Sequence, residues 1–370
     1  VNTKVVTASG GLLAGSGAEA DNDILAGVIA KVGDDVRVEA RDIAVTAVNR
    51  VEKPELDDDD ENISGDTGGL ISGASAVSTT TIHFDTRVEV GDGAYLEVVG
   101  IESTAGDFSL EAYNDVFARD TVTLTTGGAL SGAGAYSTVQ TALGDYDATV
   151  EIGDADLVTV GDIDISARGT ADVLVQVNAE TYGAATVAVG ESLIDINPVN
   201  NVNVRNGATI SADGDINIST GTTADFVRDV YNLDSRMDTF AGAVIPIDDI
   251  DAKAFVLQEN LITVESTALL ESAGNVRLHA ERLGLANTVA QAKAVNWASE
   301  VGDAVDAALG GTETFDGTAQ SESHGIVEVN GTVRTGTKRI KSLVLDTFDL
   351  QAGTVNNSLA SEITYSVSQE

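Results

Sequence analysis

Val150-Glu151-Ile152-Gly153-Asp154, followed by Gly161-Asp162-Ile163-Asp164-Ile165, is the stretch whose reading decides the fold. A second copy runs Val202-Asn203-Val204-Arg205-Asn206-Gly207 and then Gly214-Asp215-Ile216-Asn217-Ile218. Apolar residues at every second position line one face of a strand. Gly-Asp and Asn-Gly supply the backbone freedom and local hydrogen bonding of tight turns. Each copy therefore reads as short alternating strands joined by turns.

The phrase recurs along the whole chain. The turn after the first strand falls at Gly33-Asp34, Gly91-Asp92, Gly153-Asp154, Asn206-Gly207, Glu265-Ser266 and Asn330-Gly331, at intervals of 58, 62, 53, 59 and 65 residues. The second turn falls at Arg41-Asp42, Gly106-Asp107, Gly161-Asp162, Gly214-Asp215 and Gly274-Asn275, with a blurred copy near Lys341. A glycine–alanine run is a third marker. It starts at Gly10, Gly68 and Gly127, and fainter copies lie near Gly183 and Gly242. Three markers with one period define a repeat of about 58 residues.

The alternation is of period two, as in Val36-Arg37-Val38, Val88-Glu89-Val90 and Val122-Thr123-Leu124. The fold class expected is all-β: a parallel β-helix (β-solenoid), one domain over 1–370, cut from a longer repeat protein. Its strands are expected to be short, with three to a coil of roughly 18–25 residues and two or three coils to a repeat. The glycine–alanine runs mark places where neighbouring backbones come close. Three excursions leave the pattern, at about 53–68, 222–260 and 285–320. Phe226, Val227, Val230 and Leu233 have helical spacing, as do Ala290, Ala294, Trp297, Val301 and Val305, so short helices or ordered loops are expected there.

Composition agrees with a narrow, turn-rich core. Of 370 residues, 38 are Gly, 3 are Pro and 4% are aromatic. No cysteine is present, which removes disulfide and thiolate chemistry. The net charge of −39 excludes nucleic acid as a partner, because phosphate is repelled. No apolar run is long enough to suggest a transmembrane segment.

Candidate sites are few. The acidic run Asp57, Asp58, Asp59, Asp60 and Glu61 is a solvated loop or a loose Ca²⁺ loop, without EF-hand spacing. Trp297, the sole tryptophan, is a packing residue or a ligand-stacking one. His83, His279 and His324 have no metal-ligand spacing. The turn aspartates repeat because a tight turn favours Asp. Neither a nucleophile elbow nor a phosphate loop is present, and no catalytic residue or resident cofactor is expected, Ca²⁺ aside.

Gly-Gly-Leu-x-x-Gly-x-x-Ala, a Val-rich strand, the turn Gly91-Asp92-Gly93-Ala94 and a Gly-Asp-Ile-x-Ile strand together resemble repeats of very large bacterial exoproteins. These are the filamentous-haemagglutinin-like and leukotoxin-type filamentous adhesins. The resemblance covers 1–220 well and 260–345 weakly, and 222–260 and 285–320 depart from it. It implies a β-helical shaft at the cell surface or outside the cell, serving adhesion, biofilm-matrix building or a stalk. Its partners would be neighbouring repeats of the same protein, through self-association into filaments. An alternative is a module that binds glycan or a cell-surface partner through the lateral excursions. A polysaccharide lyase or hydrolase is the third reading, motivated only by the abundance of acids.

Overall fold

The computed structural model describes residues 3–54, 62–99, 106–282, 285–296, 312–336, 348–352 and 363–365. The protein is all-β, and no helix occurs among the described residues. The strands form two sheets, one of 14 strands and one of 6, and every pairing between named strands is parallel.

The repeat period is the pairing register. Val5–Val32 pairs with Ile63–Val90, so that Gly11 meets Gly69 and Val32 meets Val90. Phe108–Gly127 pairs with the first part of Ile163–Ile196, and Leu130–Ile152 with the second part. The six strands of the small sheet, from Arg37–Ala40 to Thr332–Thr335, hold four residues each and come one from each repeat. One repeat is therefore one layer of the stack, and the expectation of two or three short coils per repeat is corrected. The cause lies in the inward positions. Phe108–Gly127 alternates buried and half-buried without a break, but its inward residues include Asn114, Asp120 and Thr126. Those polar residues interrupt the hydrophobic pattern without interrupting the strand.

Each layer runs out along one face and back along the other, and the two faces meet across an interior. Ser78 Oγ and Ser137 Oγ donate to Asp120 Oδ2 at 2.7 and 2.9 Å. Asn114 Nδ2 donates to Asp147 O at 3.0 Å, and Ser192 Oγ to Val175 O at 3.2 Å. Lys53 Nζ lies 2.9 Å from Asp120 Oδ1, both side chains being fully buried. That contact is Coulombic, without the alignment of a good hydrogen bond.

Two aliphatic cores fill the interior. One lies at the base, where the small sheet closes the layer; Leu96, Leu157, Ile210, Leu270 and Val333 stack there in register. The other lies between the long faces, around Val122, Val139, Val177 and Ile194. A buried polar band separates them: Asn49, Asn114 and Asp229 on the outgoing side, Thr86, Asn200 and Asn260 on the return side.

The turns stack as the sequence spacing requires. Gly91 N donates to Val32 O, Gly153 N to Val90 O, Arg205 N to Ile152 O, Glu265 N to Val204 O and Asn330 N to Val264 O, at 2.8–2.9 Å. At the far end of the layer the glycine–alanine runs make the outgoing-to-return bend. A Cβ on Gly69 would lie 2.3 Å from Gly11 O, one on Gly128 2.4 Å from Gly69 O, and one on Gly183 2.3 Å from Gly128 O. Only glycine permits that approach.

The excursions shrink. Of 53–68, Lys53 is an inward strand residue and Ile63–Val90 is a strand. Val230–Val264 and Leu285–Asn296 are strands, not helices. Tyr231, Leu233, Ser235, Met237, Thr239, Ala241 and Ala243 are all buried, so a period of two overrides the helical spacing of a few apolar residues. Of the described residues in these stretches, 221–229 form a loop off the sheet; 55–61 and 297–311, with Val301 and Val305, lie outside the described residues.

Two neighbouring glycines test the account of the bend. Gly128→Ala is expected to cost about 1–3 kcal/mol through overpacking. Gly127→Ala, whose Cβ would meet nothing within 4 Å, is expected to stay within about 0.5 kcal/mol of the parent. Urea unfolding of the two variants measures the difference; equal midpoints would refute the close approach.

Candidate functional site

The one place where the described sheet opens is built around residues 221–229. The strand Ile216–Thr220 follows its neighbour in register as far as Thr220 opposite Ala167. Gly221 then takes φ +70°, and a Cβ there would lie 2.7 Å from the Asn260 amide and from Gln258 Nε2. The chain turns out into a small hairpin. Thr222 bridges Arg228 in antiparallel fashion, Thr222 Oγ1 donates to Val227 O at 2.8 Å, and Val227 N donates to Thr223 Oγ1 at 3.0 Å. Phe226 sits at the tip with φ 61°, its ring edge-on to His279 at 5.2 Å. Pairing with the previous layer resumes at Tyr231 opposite Ala171.

The opening leaves Gly169 without a backbone acceptor from the strand above, and Asp229 supplies one. Its carboxylate is buried, and Oδ2 accepts from Gly169 N at 2.9 Å. Arg168 NH1 stands 3.9 Å from Oδ1. Burial pushes the Asp229 carboxyl up to about 7, with Glu111 and Glu281 adding to the rise and the Gly169 N–H and Arg168 opposing it. Above the loop, Glu281 Oε2 accepts from Arg228 Nε at 3.0 Å and lies 3.4 Å from His279 Nε2.

On the outer face a chain of contacts leads away from Arg168. Its Nε donates to Glu111 Oε1 at 2.7 Å, and its guanidinium lies over the Tyr113 ring at 4.2 Å. The Tyr113 and Thr170 hydroxyls are 2.7 Å apart, Thr170 donates to Asp115 Oδ1 at 2.8 Å, and Arg50 Nε donates to Asp115 Oδ2 at 2.9 Å. Chemically, the arrangement ties a loop to three successive layers and holds a proton near neutrality in a closed place.

Asp57 to Glu61 and Trp297 lie outside the described residues. His279 joins the loop cluster; His83 pairs with Asp23 at 3.1 Å, and His324 lies elsewhere, 3.9 Å from Glu322. The turn aspartates serve the backbone of the adjacent layer. Asp92 Oδ1 accepts from Asp154 N at 2.9 Å, Asp162 Oδ1 from Asp215 N at 2.7 Å, and Asp215 Oδ1 from Asn275 N at 2.8 Å. Among the described residues no group of three His, Asp or Glu is placed to hold a metal ion, and no helix is long and apolar enough to cross a membrane. The sequence reading missed Asp229. The available signal was its register: Asn49, Asn114 and Gly169 precede it in one inward column, where an acid is out of place.

No family model, curated protein or solved structure matches this chain.

The pH dependence of stability tests Asp229. The folded carboxyl keeps its proton to about pH 7, whereas the unfolded one releases it near the ordinary carboxyl value of 3.8. Between these values the native state binds the extra proton, so this group's contribution to stability falls as pH rises through that window and is flat above it. Asp229→Asn keeps an oxygen for Gly169 and removes the titration. Urea unfolding from pH 4 to 8 is expected to show the variant gaining a few kcal/mol relative to the parent across the window. Parallel profiles would mean that Asp229 is charged in the fold.

Proposed function

We propose that the chain is a β-helical segment of a large surface-displayed or secreted protein, with one repeat of about 58 residues per turn of the helix, and that its role is structural and adhesive. The observation that carries this is the parallel pairing of each repeat with the next in the register of the sequence period, from Val5 opposite Ile63 to Val264 opposite Val329. Such a stack has no chain-length limit, since each repeat buries the faces of its neighbours. The acidic exterior keeps a long particle soluble and separated from its copies.

The wide turn sets the shape. An outgoing strand of 20 residues such as Phe108–Gly127 spans about 66 Å at roughly 3.3 Å per residue. Each layer adds only about 4.8 Å of height. The segment is a blade, broad across the stack and slow to lengthen along it.

One further observation favours the glycan- or partner-binding reading. The Tyr182 and Phe240 rings lie 5.6 Å apart on the outer face, beside a groove of about 390 Å³ that also holds Asn178, Glu180, Asp238 and Lys293. Stacking rings with flanking amide and carboxylate groups suit a sugar. Asp238, Phe240 and Lys293 come from the stretches expected as excursions, which are strands here, and Asn178, Glu180 and Tyr182 from the layer before them.

Removing one whole turn tests the architecture. Deleting 153–204 joins Ile152 to Arg205, which continues from Val204, the register partner of Ile152. This variant is expected to fold cooperatively and to lose one layer of thickness in small-angle scattering. Deleting 153–178 removes the turn, the base strand Asp156–Thr159 and most of the outgoing face while keeping the return face, and is expected to abolish cooperative unfolding. Equal behaviour of the two deletions would sink the one-turn repeat. For function, whole-turn deletions in the producing cell should preserve surface labelling by antibody. A Tyr182→Ala, Phe240→Ala variant should separate glycan binding from the shaft role on a glycan array.

A further inference from the structure

Two ionisable side chains meet in the interior between the long faces, each out of place in its own column. Lys53 heads an inward column that continues with Ala118, Val173 and Leu233. Asp120 heads one that continues with Val175 and Ser235. Both side chains are fully buried, and Lys53 Nζ stands 2.9 Å from Asp120 Oδ1.

The contact is a poor ion pair. Neither Nζ nor Oδ1 has a hydrogen-bond partner among the described residues. Taking two charges out of water is costly, and apolar residues of similar volume commonly hold a core as well as a buried pair does. The other carboxylate oxygen is well served. Ser78 and Ser137 both donate to Oδ2 from the opposite face, at 2.7 and 2.9 Å. One oxygen is thus held by two donors, and the other faces an amine. That asymmetry is the one a carboxyl group needs when a nucleophile is to attack it.

The pair also lies at a break in the ladder. Pairing of the first two outgoing strands ends at Lys53 opposite Ala118 and resumes at Ile63 opposite Val122. Asn62 N donates to Thr121 O at 2.7 Å, at the far side of the break. Between Lys53 and Asn62 the first layer has eight residues, 54–61, whereas between Ala118 and Thr121 the second has two, Arg119 and Asp120. The two layers share no backbone register there, and the lysine side chain crosses from one to the other.

We propose that Lys53 and Asp120 condense to an intramolecular isopeptide bond, a covalent cross-link between the first two layers. Nζ hands one proton to Oδ1, which leaves a neutral amine beside a carboxylic acid. The nitrogen lone pair attacks Cγ, and the carbonyl electron pair moves onto Oδ2, where the Ser78 and Ser137 hydroxyls stabilise it. A second proton passes from nitrogen to Oδ1, the Cγ–Oδ1 bond breaks, and Oδ1 leaves as water while the carbonyl reforms at Oδ2. An ammonium and a carboxylate become one neutral amide and one water, and nothing is oxidised or reduced. The fold supplies the reactivity, since well-oriented intramolecular partners reach effective molarities of about 10⁵ M and above. Exclusion of water protects the amide once it has formed. The bond staples the stack where its ladder is interrupted, whatever the stack as a whole serves.

Intact-mass spectrometry of the purified full chain, denatured for the measurement, tests the proposal. The parent is expected to be lighter than its sequence by the mass of one water. Proteolysis and tandem mass spectrometry are expected to find the peptide that holds Lys53 joined to the one that holds Asp120. Lys53→Arg keeps a cation opposite Asp120 without the amine, and is expected at full mass. A parent that unfolds cooperatively in urea and yet has its full mass overturns the proposal, and that outcome needs no variant to fold. A water loss that leaves the two peptides separate also overturns it, because an Asp-Gly turn such as Asp92-Gly93 gives the same mass change by cyclising. So does a Lys53→Arg chain that loses the same water.

Discussion

A paired residue of the stack sits about 4.8 Å from its equivalent in the next repeat, and almost everything else follows from that. Parallel in-register pairing places like on like. A position that needs glycine in one layer needs it in the next, because the same backbone approach recurs, as at Gly11, Gly69, Gly128 and Gly183. A position that turns the chain turns it in every layer, so the turn residues keep their spacing. The narrow choice of side chains in the sequence is the imprint of a single layer repeated.

The same constraint makes charge costly. An acid repeated in register stands above an acid, and at that spacing each exposed pair repels by about 1 kcal/mol in water. Several of the 20 Lys and Arg side chains offset part of this by reaching between layers. Lys31 pairs with Glu89 at 3.1 Å, Arg50 with Asp115 at 2.9 Å, Arg119 with Asp172 at 2.9 Å and Lys253 with Glu191 at 2.9 Å, each spanning one repeat. The turn carboxylates take backbone N–H groups of the adjacent layer instead, which disperses their charge into the ladder.

This explains what was legible in the sequence and what was not. The period, the strand class, the stacked turns and the close approach at the glycine runs were readable, because each is a property of one layer printed about six times. The length of the strands was not. Asn114, Asp120 and Thr126 occupy inward positions that a hydrophobic pattern expects to be apolar, so a 20-residue strand reads as several short ones. Near Phe226 a short helix or an ordered loop was expected; the loop is there and the helix is not, for a related reason. Phe226 and Val227 belong to the hairpin, Leu233 to the strand, and their three- and four-residue steps arise by joining two different structures. The loop cluster was hidden because its key acid is an exception to its own column.

The buried polar residues also answer a difficulty that a wide layer creates. Two faces about 66 Å long, lined only with Val, Ala and Ile, could slide past one another by two residues and bury nearly the same area. Aliphatic contact is non-directional and does little to resist such a slip. Directional groups resist it. Asp120 takes Ser78 and Ser137 from the opposite face and Lys53 from its own side, and Asn114 takes Asp147 O and Thr86. A slip of two residues would leave each of these groups buried without partners, at a cost of several kcal/mol. The polar band therefore does for the two faces what the turns do for the ends: it selects one alignment among many that hydrophobic burial alone leaves nearly equal.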